Sequence, residues 1–192
     1  MTSDRLEAFT DGVLAIVITI MVLELKIPAD GSLQAMREAA PVLLAYVLSF
    51  INVGIYWSNH HHLFQATEHI DGRVLWCNLF LLFWLSLLPF VIRWLDEAEF
   101  TTAPTAAYGL VLLMASLGWV MTKNAILARN GATSALARAL GKDHKARLSV
   151  LAYFAATLLS AWDATIAMGI YVATTSVWFV PDRRIERALT GD

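Results

Sequence analysis

The chain has 192 residues, of which 58% are hydrophobic, and a mean hydropathy of +0.59. This composition is too apolar for an ordinary soluble domain and indicates an integral membrane protein with little mass outside the bilayer. The formal net charge of −2 is uninformative, because the charged residues cluster in loops and form no single basic face. No nucleic-acid partner is therefore expected, and the single cysteine, Cys77, excludes an intrachain disulfide.

The order of apolar runs predicts an all-α membrane protein with a single domain, residues 1–192, and six transmembrane helices joined by short loops. The predicted helices cover residues 6–27, 38–64, 74–95, 104–127, 148–162 and 164–180. Pro41 falls in the first turn of the second predicted helix, where proline is tolerated. The fifth and sixth predicted helices meet at Asp163 with almost no loop between them.

The first apolar run, from Arg5 to Lys26, is long enough to cross a hydrocarbon core. At the α-helical period one arc of this helix holds six residues: Arg5, Gly12, Ile16, Thr19, Ile20 and Leu23. Such aliphatic residues commonly face lipid or neighbouring helices, so their spacing alone leaves both interpretations open. Asp11 points away from this arc. A carboxylate at the bilayer centre costs about 2.5 kcal/mol or more, so we expect its partner on another helix.

The distribution of lysine and arginine predicts the orientation of the helices. With a cytoplasmic N-terminus, eleven of these residues fall on the cytoplasmic side: Arg5, Arg73, Lys123, Arg129, Arg138, Lys142, Lys145, Arg147, Arg183, Arg184 and Arg187. The other side holds Lys26, Arg37 and Arg93. The asymmetry predicts a multi-pass protein of the inner (plasma) membrane with both termini in the cytoplasm. The basic segment 129–147 follows this rule, and contact with anionic lipid is a weaker alternative.

Three segments together resemble the bacterial branch of the TMEM175 family of potassium-permeable channels: RLEAFTDGVLAIVITIMVLEL from Arg5, GIYWSNHHHLF from Gly54 and NLFLLFWLSLLPF from Asn78. The phenylalanine, serine, aspartate signature of the family reads Phe9, Thr10, Asp11 here. Threonine keeps the hydroxyl group, so the resemblance implies the same local hydrogen bonding.

The resemblance implies a homotetramer in which the first helix of each subunit lines a central pore. Matching by offset from the signature assigns the hydrophobic constriction, or gate, to Ile16, Ile20 and Leu23, and the hydroxyl selectivity layer to Thr19. It also implies a polar network that holds the first helix against its neighbours. The candidate members of this network are Arg5, Phe9, Thr10, Asp11, Trp57, Asn59, His60, His61 and Asn78.

The expected function is a potassium-permeable cation channel with modest preference for K⁺ over Na⁺. The chain has no TVGYG filter to replace the hydration shell of the ion, so we expect a ring of branched side chains to gate the pore by dewetting. No cofactor is expected, and K⁺ is the permeant ion. The expected partners are further copies of the chain and membrane lipid.

Other interpretations of the same residues were weighed. No nucleophile elbow, phosphate loop or HExxH motif is present, so no enzyme is expected. Three consecutive histidines, His60 to His62, point in three directions on a helix and cannot all bind one metal ion. His62 with Glu68 or His69 remains a weak candidate site. The alternative function is a proton-permeable channel or secondary transporter that uses Asp11 and a second-helix histidine.

Overall fold

The computed structural model describes residues 3–26, 28, 30–65, 67, 70–130 and 143–178. These residues form seven α-helices: α1 (Ser3–Leu23), α2 (Leu33–Gln65), α3 (Gly72–Ser86), α4 (Leu88–Glu97), α5 (Thr102–Asn130), α6 (His144–Leu159) and α7 (Ala164–Val177). The all-helical class expected from the sequence is confirmed. The predicted end of the last helix at Val180, the middle of the basic segment, and the candidate pair Glu68 and His69 lie outside the described residues.

Four stretches are long and apolar enough to cross a membrane: α1, α2, α3 together with α4, and α5. Among the described residues α6 has 16 residues and α7 has 14, which correspond to about 24 Å and 21 Å of helix and fall short of a hydrocarbon core of about 30 Å. The structure thus supports a multi-pass helical membrane protein. The described parts of α6 and α7 are too short to establish them as the fifth and sixth membrane spans.

Capping side chains move several helix boundaries away from the predicted ones. α2 begins at Leu33, before the predicted start near Glu38, because the Ser32 hydroxyl accepts a hydrogen bond from the Ala35 N–H at 3.1 Å. Pro41 therefore lies inside α2 and not in its first turn. Ser32 in turn donates hydrogen bonds to Asp30, which lower the pKa of that carboxyl.

The third predicted helix is divided into α3 and α4 at Leu87. Pro89 lies at the start of α4, where it has no N–H to donate and its ring clashes with the carbonyl one turn earlier. The two helices nevertheless form a single apolar stretch, Gly72–Glu97, that is long enough to cross a membrane. The predicted span is retained, and the proline explains the break that periodicity alone did not predict.

The helix α5 lies at the centre of the subunit, in contact with α3, α4, α6 and α7. At Gly118 the helix approaches the backbone of α3 closely, since an added Cβ would lie 2.9 Å from the Cα of Leu81. Small residues permit such backbone approach between membrane helices, where van der Waals packing replaces the hydrophobic effect as the force that joins helices. In contrast, α1 packs on α2, α3 and α4 and so lies on one side of the bundle.

Candidate functional site

The first helix has one face packed against its own subunit and one face left uncovered. Its buried side chains recur at intervals of three and four residues: Leu6, Thr10, Leu14, Val17 and Met21. This is the spacing of a single helical stripe, and the stripe contacts α2, α3 and α4. From Gly12 to Leu23 the remaining circumference of α1 is apolar except for Thr19.

The residues predicted to share one arc of α1 lie on the uncovered face. Ile16 is 59% exposed, Ile20 41% and Leu23 80%, so no described helix of the same subunit covers them. Thr19 is also exposed, and its hydroxyl donates a hydrogen bond to the Ile16 carbonyl at 2.8 Å. Because the hydroxyl proton is engaged within the helix, the lone pairs of the Thr19 oxygen remain available as acceptors.

A buried chain of three polar side chains joins α1, α2 and α3. Asn78 Nδ2 donates to Thr10 Oγ1 at 2.9 Å, and Asn78 Oδ1 accepts from His60 Nε2 at 3.0 Å. The His60 ring stacks on Phe64 with centroids 3.9 Å apart. Thr10, His60 and Asn78 are all almost fully buried. Burying a polar group without a hydrogen-bond partner costs free energy, and these hydrogen bonds remove that cost. Thr10, which stands where the signature has serine, thus uses its hydroxyl in a hydrogen bond.

Two further contacts connect α1 with α2. Trp57 Nε1 donates to Asp11 Oδ1 at 3.0 Å. Closer to the N-terminus of α1, His61 Nδ1 lies 2.6 Å from Glu7 Oε1, and His61 Nε2 lies 2.8 Å from Gln65 Nε2. The amide of Gln65 donates to Nε2, so His61 in this arrangement carries its proton on Nδ1 and donates to the Glu7 carboxylate.

Glu7 and Gln65 were not predicted as members of the network. A signal for Glu7 exists in the sequence, because Glu7 and Asp11 are one turn apart on α1, as Trp57 and His61 are on α2. Two antiparallel helices with matching one-turn spacings can pair at both positions. Gln65 carries no comparable signal, since it pairs with His61 within the same helix.

Other predicted members lie elsewhere. Arg5 is exposed and forms no hydrogen bond or ion pair with the part of the chain that the structure describes, and Phe9 is 52% exposed. Asn59 lines a small cavity between α2, α5 and α6 that also contacts Ser116 and Tyr153. Neither Arg5 nor Asn59 therefore joins the hydrogen bonds around Asn78, because their positions on the helical wheel direct them to other sides of α1 and α2.

Ion pairs at the opposite end of α1 connect it with α4. Glu24 Oε2 lies 3.3 Å from Arg93 Nη1, and Lys26 Nζ lies 2.9 Å from Asp96 Oδ2. Arg93 also pairs with Glu97 one turn further along α4 at 3.0 Å. Solvent screens these pairs, because at least one partner in each is largely exposed, so each contributes little to stability. Their consequence is geometric, since the end of α1 is attached to α4 where the exposed aliphatic face terminates.

The fold and these contacts define a multi-pass α-helical membrane protein whose N-terminal helix combines an internal polar network with an uncovered aliphatic face. The family described as Endosomal/lysosomal potassium channel TMEM175 matches residues 5–89, which contain α1, α2, α3 and the start of α4. A protein of Chryseobacterium sp. (strain P1-3) named Potassium channel HX13_20290 is 45% identical over 98% of both chains. The chain belongs to the TMEM175 family, which consists of channels and not of enzymes.

Two more distant relatives extend this result. A Bos taurus protein named Endosomal/lysosomal proton channel TMEM175 is 26% identical over 100% of this chain and 45% of its own length. A crystal structure of a lysosomal potassium-selective channel TMEM175 homolog from Chamaesiphon minutus superposes with a TM-score of 0.80 and covers 94% of this chain and 97% of that chain. Its sequence identity is 23%, so this similarity shows that the fold is shared.

Proposed function

We propose that the protein is a potassium-permeable channel, assembled as a homotetramer, in which α1 of each subunit lines a central pore. The observation that carries the proposal is the uncovered face of α1, where Ile16, Ile20 and Leu23 are all more than 40% exposed. A 45% identical relative over nearly the whole chain is named a potassium channel, which supports the same function here. Four such faces around one axis would bury these residues against each other.

The hydrophobic constriction is assigned to Ile16, Ile20 and Leu23, which are three or four residues apart and so occupy successive turns. Rings of branched side chains at these levels narrow the pore and exclude water, and a dewetted segment blocks ions. Conduction then requires the four helices to move apart. The constriction therefore acts as the gate in this proposal.

The selectivity layer is assigned to Thr19. Thr19 is exposed, and its hydroxyl donates to the Ile16 carbonyl at 2.8 Å, so the oxygen lone pairs remain available to coordinate a cation. Four such oxygens offer partial coordination to a cation that has lost part of its hydration shell. Because K⁺ is hydrated less strongly than Na⁺ and four oxygens do not replace a full shell, the expected preference for K⁺ is modest.

The polar contacts of α1 are assigned the role of holding it at a defined angle in each subunit. The chain from Thr10 through Asn78 to His60 is buried, and Asp11, the next residue of α1 after Thr10, accepts a hydrogen bond from Trp57. These contacts set the position from which α1 can move. Arg5, Phe9 and Asn59 have no assigned contact in this role, although the resemblance to the family had suggested them.

The proposed topology has six spans, with α6 and α7 as the fifth and sixth, and both termini in the cytoplasm of the cell whose inner membrane holds the protein. The lysine and arginine asymmetry supports this orientation. Cysteine accessibility tests it with a membrane-impermeant maleimide, in a background in which Cys77 is replaced by serine. The cysteine is introduced as Asp4→Cys. Labelling of this cysteine only in inside-out vesicles supports the proposal, and labelling in intact spheroplasts contradicts it.

Purified protein in planar bilayers tests the function directly. A channel produces single-channel current steps, and a potassium preference appears as a reversal potential shifted toward the K⁺ equilibrium potential in opposed K⁺ and Na⁺ gradients. Saturable uptake without current steps would identify a transporter and contradict the proposal. The Ile20→Asn variant, with Val22→Asn as its matched control, assigns the current to the face of α1.

A proton-permeable channel is the second candidate, because the Bos taurus relative, which matches this chain over its whole length, is named a proton channel. In this alternative Asp11 and a second-helix histidine would relay protons. Asp11 bonds to Trp57, whereas His60 bonds to Asn78 and His61 to Glu7, so no described hydrogen bond joins Asp11 to a histidine. A transmembrane pH gradient with symmetrical K⁺ distinguishes the candidates, since only proton permeation shifts the reversal potential.

A further inference from the structure

An apolar groove of about 650 Å³ lies on the side of the subunit formed by α2 and α7, away from the uncovered face of α1. Its walls come from the first half of α2, from the first half of α7 and from the turn between α4 and α5. The lining residues are Pro41, Leu44, Ala45, Leu48, Glu99, Phe100, Ala164, Thr165, Met168, Gly169 and Val172. The volume lies in the range of small-molecule sites.

Small side chains create this space. Gly169 has open space where a Cβ would stand, with no atom within 4 Å of that position. Leu44 opposite is 68% exposed, so α2 and α7 do not close on each other along this stretch. Within the bilayer such a lateral opening is filled by lipid acyl chains, because apolar side chains form most of its walls.

One charged side chain, that of Glu99, lines the groove. Glu99 is exposed and its carboxylate forms no hydrogen bond or ion pair with the residues that the structure describes. The turn that presents it is unusual, because Glu99 and Phe100 both have positive φ, 49° and 56°. Hydrogen bonds from the Phe100 N–H to the Leu95 carbonyl at 2.9 Å and from Thr105 Oγ1 to the Phe100 carbonyl at 3.2 Å hold this conformation.

The groove lies at the end of the bundle where α1 terminates, since α2 and α7 both begin there and α4 ends there. The carboxylate therefore stands at the level of the lipid headgroups, with the apolar walls extending from it toward the bilayer centre. A lipid that fits this groove has an acyl chain for the apolar walls and a positively charged headgroup that donates hydrogen bonds to Glu99. A headgroup with only negative charge would meet repulsion from Glu99.

We propose that this groove binds one acyl chain of a membrane phospholipid that carries a primary ammonium headgroup, with Glu99 as the acceptor of the headgroup. A charge-assisted hydrogen bond from the ammonium to the carboxylate supplies the selectivity, and the apolar walls supply the affinity. Phosphatidylglycerol has no ammonium and binds less well. The inference depends on the membrane location of the chain and is independent of ion permeation.

Native mass spectrometry of the full-length protein, released from nanodiscs with equal phosphatidylethanolamine and phosphatidylglycerol, tests the proposal. The expected result is a preference for phosphatidylethanolamine of about threefold or more, as one partly exposed charged contact provides. Glu99→Gln should bring the two lipids to parity. Glu38→Gln is the matched control, because this exposed carboxylate at the same end of α2 bonds to Gln34 and lies outside the groove.

Filling the groove tests its apolar part. Gly169→Leu should lower the total retained lipid by one molecule per subunit, and Val172→Trp should do the same where Gly169→Leu does not fold. Retained phosphatidylglycerol equal to phosphatidylethanolamine in the wild-type protein overturns the proposal. So does an unchanged preference in Glu99→Gln, or unchanged lipid occupancy in the groove-filling variant that folds.

Discussion

Trp57 on α2 donates its indole N–H to the Asp11 carboxylate on α1 at 3.0 Å, and His61 contacts Glu7 one turn away on both helices. The two pairs form successive rungs between antiparallel helices. A shift of α1 along its axis by one turn would replace both pairs by at most one, either Asp11 with His61 or Glu7 with Trp57. Polar contacts therefore favour one register of α1 against α2, while none of the helices that the structure describes in the subunit covers the aliphatic face of α1.

A double-mutant cycle of Asp11→Ala and Trp57→Phe should show a coupling of about 1 kcal/mol, as expected for a partly exposed hydrogen bond to a charged acceptor. The free energies come from denaturant titrations of the purified protein in detergent. Trp76→Phe is the control for loss of an indole, because Trp76 is 72% exposed on α3. Additive effects of the two substitutions would show that the bond does not contribute to stability.

Ile20→Asn should raise potassium conductance. A polar side chain at the constriction holds water, whereas the four Ile20 side chains of the proposed tetramer exclude it. Single-channel recording in symmetrical K⁺ measures the change. Val22→Asn places the same substitution on a neighbouring exposed position that faces another direction, and its conductance should match the wild type. An equal rise in both variants, or in neither, would contradict the assignment of the constriction.

Thr19→Ala should weaken the preference for K⁺ over Na⁺, because it removes the oxygen that faces the pore in the proposed tetramer. Thr19→Ser keeps the hydroxyl and should retain the preference. Reversal potentials in opposed K⁺ and Na⁺ gradients provide the measurement. Equal reversal potentials in the alanine and serine variants would remove Thr19 from the selectivity layer.

Gly118→Ala should destabilise the subunit by about 1–3 kcal/mol, since the added Cβ would lie 2.9 Å from the Leu81 backbone and force α3 and α5 apart. Gly169→Ala is the matched control, because its Cβ would meet no atom within 4 Å. Thermal unfolding followed by size-exclusion chromatography in detergent compares the two. A melting temperature of Gly118→Ala equal to that of the control would show that the close approach is not required.

The outcome for the polar residues shows where sequence reasoning ends. The sequence left open whether His60 or His61 joins Thr10 and Asn78, and in the structure His60 bonds to Asn78, which in turn bonds to Thr10. Glu7 was missed, because an acidic residue near a helix N-terminus is ordinary and only its partner on α2 distinguishes it. Asn59 was grouped with its neighbours along the chain, yet it faces a cavity on the far side of α2.

The amino-acid sequence by itself determined the helical membrane class, the approximate spans, the family and the amphipathic character of α1. These properties depend on apolar length, local periodicity and motif spacing, which are read along one helix at a time. Only the tertiary structure decided which polar atoms pair across helices, where Pro89 divides a span, and that small residues leave a groove beside Glu99. Each of these depends on the distance and rotation between separate helices, and packing of the whole subunit sets both quantities.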